Sequence, residues 1–352
     1  MACNCHQLPD IPSGTGKIMF TFPEEIFREK FIAVLEELDH APEQVDELLT
    51  VATADTAQLI RQLCAYQYFS ELEINSINAV ILQPGEQISF SLLNKLKSLH
   101  HWGGLLAAHD LVYVLNNRTL QIVFQPLVDV LKGEIYGYEC LMRGLRQDGS
   151  IIGPELLLEQ AKNANLLFNL DRLAREMALH QTVTMQLRGR ISINFLPTAI
   201  YNPEMCLRDT VSWAQELGID PARIMFEVVE TENIKDFGHL KSILDFYRNK
   251  GFKTALDDVG SGYAGLNLLA ELLPDLIKID RSLVQNIQQL PVKQSIVSAL
   301  VNISKANNID VLAEGVETEA ERDYLMAQGI SKMQGYLFGK PNAVPQLQIL
   351  GM

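Results

Sequence analysis

RIMFEVVETENIKDFGHLKSILDFYRNKGFKTALDDVGSGYAGLNLLAELLPDLIKID, residues 223–280, sets the fold class. It holds three short apolar runs rich in β-formers: RIMFEVV from Arg223, FKTALDD from Phe252 and LIKID from Leu276. Between the first two lies HLKSILDFYRNKG, whose apolar residues recur at helical spacing. Strands separated by helices pair mostly in parallel. The same alternation extends outward. QIVFQPLV (from Gln121), EIYGYECLM (from Glu134) and RISINF (from Arg190) precede it, and DVLAEGV (from Asp310) and KMQGYLF (from Lys332) follow. LDRLAREMALHQTVTM, from Leu170, is a second helical pattern. Eight such runs in succession predict a closed α/β barrel of the (β/α)8 kind. An open doubly wound sheet is the alternative, but no Gly-rich fingerprint follows the first strand.

The positions of the polar residues carry the chemistry. Each run is apolar and then ends in a polar or charged residue. These are Glu139, Asn194, Glu227 with Glu230, Asp257 with Asp258, Lys278, Glu314 and Gln334. A buried strand does not tolerate a carboxylate without compensation. Repeated at the carboxyl ends of successive parallel strands, these groups ring one mouth of the barrel, where enzymes of this architecture hold their chemistry. Any one of them alone reads equally well as an N-cap or a solvated rim charge. Independent capping does not explain the recurrence.

The ring is made of hard oxygen ligands, with no Cys or His, so it suits Mg²⁺ or Mn²⁺ and not zinc or copper. Adjacent Asp257 and Asp258 suit two neighbouring ions, which would generate a hydroxide nucleophile and stabilise phosphoryl charge. Lys278 is the single cation of the ring. Its expected part is to orient or deprotonate the attacking water, with a pKa lowered beside metal.

The whole chain sets outer bounds. Of 352 residues, 47% are hydrophobic and 20% charged, and the net charge is −14. That composition fits a globular protein with a sizeable core. The acidic balance argues against broad binding of polymeric nucleic acid, which needs a Lys/Arg footprint. It leaves room for a small phosphate ligand held by cations. Five cysteines, an odd count with three of them widely scattered, point to a reducing compartment. No run is long enough for a membrane span and no signal peptide is visible, so the expected location is cytoplasmic, with no membrane insertion.

Eight motifs, in order, resemble the EAL family of cyclic di-GMP phosphodiesterases. They are FQPLVD at Phe124, YECLMRG at Tyr138, SINFLP at Ser192, FEVVE at Phe226, ALDDVGSGYAGL at Ala255, IKID at Ile277, AEGVE at Ala313 and QGYLFGKP at Gln334. The resemblance covers about Leu106 to Pro341. It implies a modified TIM barrel with one reversed strand and hydrolysis of cyclic di-GMP to linear pGpG. It implies metal ligation by Glu139, Asn194, Glu227, Asp257 and Asp258, and water activation by Lys278. Glu314 and Gln334 complete the site. Arg143 matches a substrate-phosphate arginine, Glu317 a weaker substrate contact, and Glu230 the anchor of the loop SGYAGLN. A homodimer through the barrel follows from the same source. The signature reads Glu-Cys-Leu, with Cys140 a small apolar replacement, and Val259 and Val229 stand where the family carries Phe and Thr. Some members lose ligands and become silent cyclic di-GMP receptors. Here every ligand is present, which favours the hydrolase.

Residues 1–105 read as a separate small α/β domain and 106–352 as the barrel. IMFTF reads as a strand, EEIFREKFIAVLEELDH as a helix, and INAVILQPGEQISFSLLNKLKSL as strand, Pro84-Gly85 turn and helix. HHWGG, residues 100–104, reads as a break before a connecting helix. Cys3, Cys5 and His6 form a short cluster suited to a soft metal or a redox response. A terminus with unremarkable thiols explains the same residues more simply.

Overall fold

A computed structural model describes residues 8–9, 11–45, 48–65, 67–82, 86, 92, 94–229, 237–260 and 265–349. Cys3, Cys5, His6, the Pro84-Gly85 turn, most of the helix expected after it, Glu230 and most of the SGYAGLN loop lie outside the described residues. The chain divides into two compact units, one of residues 2–117 with 154–170, the other of 118–153 with 171–352.

The first unit is built on an antiparallel sheet. Its strands are β1 (Gly16–Thr21), β2 (Pro42–Val45), β3 (Leu48–Thr53), β4 (Asn78–Leu82) and β5 (Lys97–Ser98), in the order β2-β3-β1-β4-β5. Only β1 and β4 were legible as strands. β2 (PEQV) is polar and, among the described residues, pairs only with β3, while the apolar β3 pairs with β1. Ile18, Phe20, Phe31, Leu35, Val51 and Ile60 pack as its core. Asp55 caps the helix Thr56–Leu63 through the Ala57 and Gln58 N–H groups.

HHWGG is not a break. A helix runs through it from Leu99 to Ala107, and the interruption falls at Ala108. Glycine disfavours a helix interior by about 1 kcal/mol relative to alanine, so packing decides the outcome. A Cβ on Gly103 would stand 2.6 Å from the Cys64 sulfur, and one on Gly104 would overlap the Asn163 carbonyl oxygen. The two glycines let that helix approach its neighbours.

In the second unit the eight runs become eight strands. They are β6 (Leu120–Asp129), β7 (Glu134–Leu145), β9 (Arg190–Asn194), β10 (Ile224–Val229), β11 (Lys253–Val259), β12 (Leu276–Ile279), β13 (Asp310–Ala313) and β14 (Lys332–Met333). Around the ring β7-β9-β10-β11-β12-β13-β14 each pair is parallel, and β6 closes the barrel antiparallel to both β7 and β14. A two-residue strand, β8 (Ile151–Ile152), extends β7 outside the ring. The reversal has a local cause. Only Val130–Gly133 separates β6 from β7, with Gly133 at φ +66° and Asp129 accepting the Leu131 and Lys132 N–H groups. Four residues suffice for a hairpin, not for a parallel crossover.

Leu127, Met225, Ala255, Leu276 and Leu312 form an apolar floor inside the barrel. Side chains two residues apart on a strand share a face. Met225 therefore places Glu227 inside, Ala255 places Asp257, Leu276 places Lys278, and Leu312 places Glu314. On reversed β6 the polar member, Gln125, comes two residues earlier than its floor residue.

Candidate active site at the barrel mouth

Lys278 stands at the centre of the ring and is fully buried. Its ammonium lies 2.6 Å from Glu314, 2.9 Å from Glu227, 3.0 Å from Asp257 and 3.5 Å from Glu139. Burial alone would lower its pKa, but these four carboxylates hold it well above the ordinary lysine value. In the metal-free protein Lys278 is therefore an ammonium donor.

Four carboxylates around one cation leave an excess of negative charge. Glu139 stays below the ordinary carboxylate range: burial would raise it, and Lys278 with hydrogen bonds from Gln334 and Asn194 outweighs burial. Glu227 is pushed up to about 8 by burial, with Asp257 and Glu139 adding to the shift and Lys278 opposing it. Asp257 and Glu314 also rise, burial first among the causes. Each acid is held by neighbours. Asn194 Nδ2 donates to Glu139 Oε1 at 2.8 Å, and Gln334 Nε2 donates to Glu139 Oε2 at 2.6 Å. Ser192 Oγ donates to Glu227 Oε1.

Asp257 and Asp258 are adjacent, and on a regular strand they would face opposite ways. β11 avoids this. Its pairing with β12 steps from Leu256–Ile277 to Val259–Ile279, which inserts one extra residue. Asp258 takes φ +55°, uncommon for a residue with a side chain. Burial, then the charges of Asp257 and Asp280, raises its carboxyl to about 6. Gly260 follows at φ +104°, where a Cβ would overlap a Leu283 methyl.

Two groups of acids could each hold a cation: Glu139 with Glu227 and Asp257, and Asp257 with Asp258 and Glu314. In each, one oxygen per residue lies within 4.8 Å of the others. Asp257 belongs to both. An all-oxygen set with this excess charge fits hard divalent ions.

The outlying candidates separate from this cluster. Arg143 lies four residues beyond Glu139 on β7, about 13 Å farther along the strand, with Nη1 donating to the Met142 carbonyl. Glu317 pairs with Arg281 at 2.8 Å. Glu230 is outside the described residues. Two buried residues were not singled out from the sequence. Ser192 shares the Asn194 face of β9, which its two-residue offset signalled. Gln125 accepts from Gln334 Nε2 at 2.9 Å, and so fixes the amide that bonds Glu139. Cys140, beside Glu139, is buried, and burial raises its thiol.

The EAL domain profile matches residues 108–341. A cyclic di-GMP phosphodiesterase of Escherichia coli K12, PdeR, is 32% identical over 232 residues, covering 64% of this chain and 34% of that protein. The chain spans between 30% and 45% of the length of the curated relatives it matches. A standalone EAL protein of Vibrio cholerae O395, solved with c-di-GMP bound, is 39% identical over 63% of this chain and 92% of its own, with TM-score 0.58. Klebsiella pneumoniae BlrP1 shares the fold across 96% of this chain and 98% of its own, at 21% identity and TM-score 0.60. Among the described residues no helix is long and apolar enough to cross a membrane. With its reversed-strand barrel, its acid-ringed mouth and a profile match across most of its length, the chain belongs to the EAL domain family.

Proposed function

We propose that this protein hydrolyses cyclic di-GMP to linear pGpG with two divalent cations, Mg²⁺ or Mn²⁺, at the ring of Glu139, Asn194, Glu227, Asp257, Asp258 and Glu314. The observation that supports it is the completeness of the ring. Four acids lie within 3.5 Å of one buried lysine, and Asp257 is common to two ligand sets. The silent-receptor reading draws no support from a ring in which every ligand is present.

Bound Mg²⁺ or Mn²⁺ would supply the charge that acidifies a water and neutralises phosphate oxygens. The chain's own residues do the rest. Glu139 is pinned from both sides by Asn194 and Gln334, so its carboxylate is set before substrate arrives. Lys278 offers ammonium hydrogens to the attacking water and to the negative charge on the phosphoryl oxygens. The reaction adds one water across one phosphodiester: an O–P bond forms, the P–O3′ bond breaks, and the 3′ oxygen takes up the proton that the water releases. In this reading Arg143 holds the other phosphate, Glu317 and Gln334 contact substrate, and Glu230 anchors the SGYAGLN loop.

The family resemblance adds a homodimer formed through the barrel; the sequence features add a cytoplasmic location, and residues 1–105 are assigned a sensory or regulatory, dimerisation or partner-docking role. Light scattering of the purified protein reads the first. The reaction is tested by incubating purified protein with cyclic di-GMP and Mg²⁺ or Mn²⁺, with an EDTA control, and separating products by chromatography. pGpG that appears only with metal supports it. Unchanged substrate under both metals defeats it.

A further inference from the structure

The barrel holds a second buried charge cluster, away from the ring. Arg175 is fully buried and Asp171 is 4% exposed, both on the helix Leu167–Thr184. Arg175 Nε and Nη2 donate to Asp171 Oδ2 at 2.9 and 2.7 Å, and Nη1 donates to Thr210 Oγ1. The other Asp171 oxygen, Oδ1, accepts the backbone N–H of Leu196 at 2.9 Å. Leu196 lies two residues beyond Asn194, where β9 has ended and the ladder no longer supplies an acceptor. The intervening Phe195 N–H donates to the Glu227 carbonyl at 3.2 Å.

An internal ion pair of this kind is a poor source of stability, because apolar residues of similar size serve as well or better. An apolar pair, however, cannot accept a backbone N–H. A carboxylate can, and burying that carboxylate requires a cation beside it. The i, i+4 spacing puts Arg175 within reach on the same helix face. The pair thus fastens the chain immediately after a ring residue whose amide bonds Glu139.

We infer that Asp171 and Arg175 are positioning residues for the ring: through the Leu196 N–H they set Asn194 against Glu139, and so set the affinity for the divalent cation. This deepens the proposed reaction and rests on it for the kinetic readout. Mn²⁺ affinity by calorimetry is an independent one.

Two double variants isolate the Leu196 bond, because both remove the ion pair. Asp171→Asn with Arg175→Met keeps an oxygen acceptor; Asp171→Leu with Arg175→Met removes it. The asparagine variant is expected within about threefold of wild type in Mn²⁺ affinity and kcat, and the leucine variant about tenfold weaker in both, with KM for cyclic di-GMP little changed. Thermal unfolding establishes that each is folded. Equal Mn²⁺ affinities and kcat in the two folded variants overturn the inference. Where the leucine variant does not fold, Asp171→Glu is decisive. It keeps the charge but displaces the acceptor, and unchanged Mn²⁺ affinity overturns the inference while several-fold weakening upholds it. Wild type that binds Mn²⁺ without hydrolysis sinks the proposed reaction and leaves the affinity contrast standing as the test. Wild type that binds no Mn²⁺ overturns both.

Discussion

The first unit and the barrel mouth hold their charges in opposite ways. In the unit built on the antiparallel sheet, acids meet bases one to one near the surface: Lys17 with Glu43, Arg28 with Glu25, Lys30 with Glu73 and Lys95 with Glu86. Such pairs contribute little individually and ask for nothing further. At the barrel mouth four acids crowd one lysine out of contact with water. That arrangement is unfavourable for the fold by itself and would become favourable with the proposed cations bound. Local conflict between charge and burial points to the candidate site; the four pairs of the other unit carry no such conflict.

The largest expected effect comes from the centre of the conflict. Lys278→Met should lower turnover about a thousandfold while calorimetry finds substrate affinity largely retained. Normal turnover with lost affinity would remove Lys278 from its assigned role. Backbone geometry gives the next contrast. Gly260 and Gly14 both have positive φ, but a Cβ on Gly260 meets Leu283 and one on Gly14 meets nothing within 4 Å. In urea denaturation Gly260→Ala should cost about 3 kcal/mol and Gly14→Ala about 1 kcal/mol. Gly260→Ala should also weaken Mn²⁺ binding, because Asp258 lies two residues away. Equal costs would mean that Leu283 yields freely.

The smallest effects carry the sharpest signs. In metal-free protein at pH 7, Asp257→Asn should stabilise, because burial, with Glu139 adding to it and Lys278 opposing it, disfavours the ionised form. Glu73→Ala should destabilise by about 1 kcal/mol, because Glu73 closes a capping box with Ser70 as well as pairing with Lys30. Acidity separates the regions likewise. A hydrogen bond from Lys30, then the Ser70 backbone N–H, lowers the Glu73 carboxyl from 4.5 to about 2, so its contribution is present above pH 4.5 and is lost as pH falls through about 2. Burial raises Glu227 from 4.5 to about 8, so its contribution is present below pH 4.5 and is lost as pH rises through about 8. Cations require the ionised form, so the rise in Tm on adding Mn²⁺ should grow from pH 5 to pH 8. A rise independent of pH would place the ion elsewhere.

The barrel and most of its ring were legible because strand geometry writes them into the sequence with a period of two. An apolar floor residue followed two positions later by Glu227, Asp257, Lys278 or Glu314 is visible without coordinates. What escaped depends on partners distant in the chain. Gln125 and Ser192 look like ordinary strand polar residues until Gln334 and Glu227 are set against them. Asp171 and Arg175 pass as the polar face of a helix, although the fold buries both. The bulge that turns Asp258 toward its neighbour leaves no spacing signal. HHWGG misled for the converse reason: close packing against Cys64 and Asn163 outweighs the poor helix propensity of glycine.

The central claim is that the crowded acids at the barrel mouth direct water onto a phosphodiester. Phosphorus NMR of cyclic di-GMP incubated with the purified protein and Mg²⁺ tests it most directly. The account predicts that the single diester signal gives way to equal diester and monoester signals, and that Asp257→Asn abolishes the change. A spectrum that stays a single diester signal in the presence of wild-type protein contradicts it.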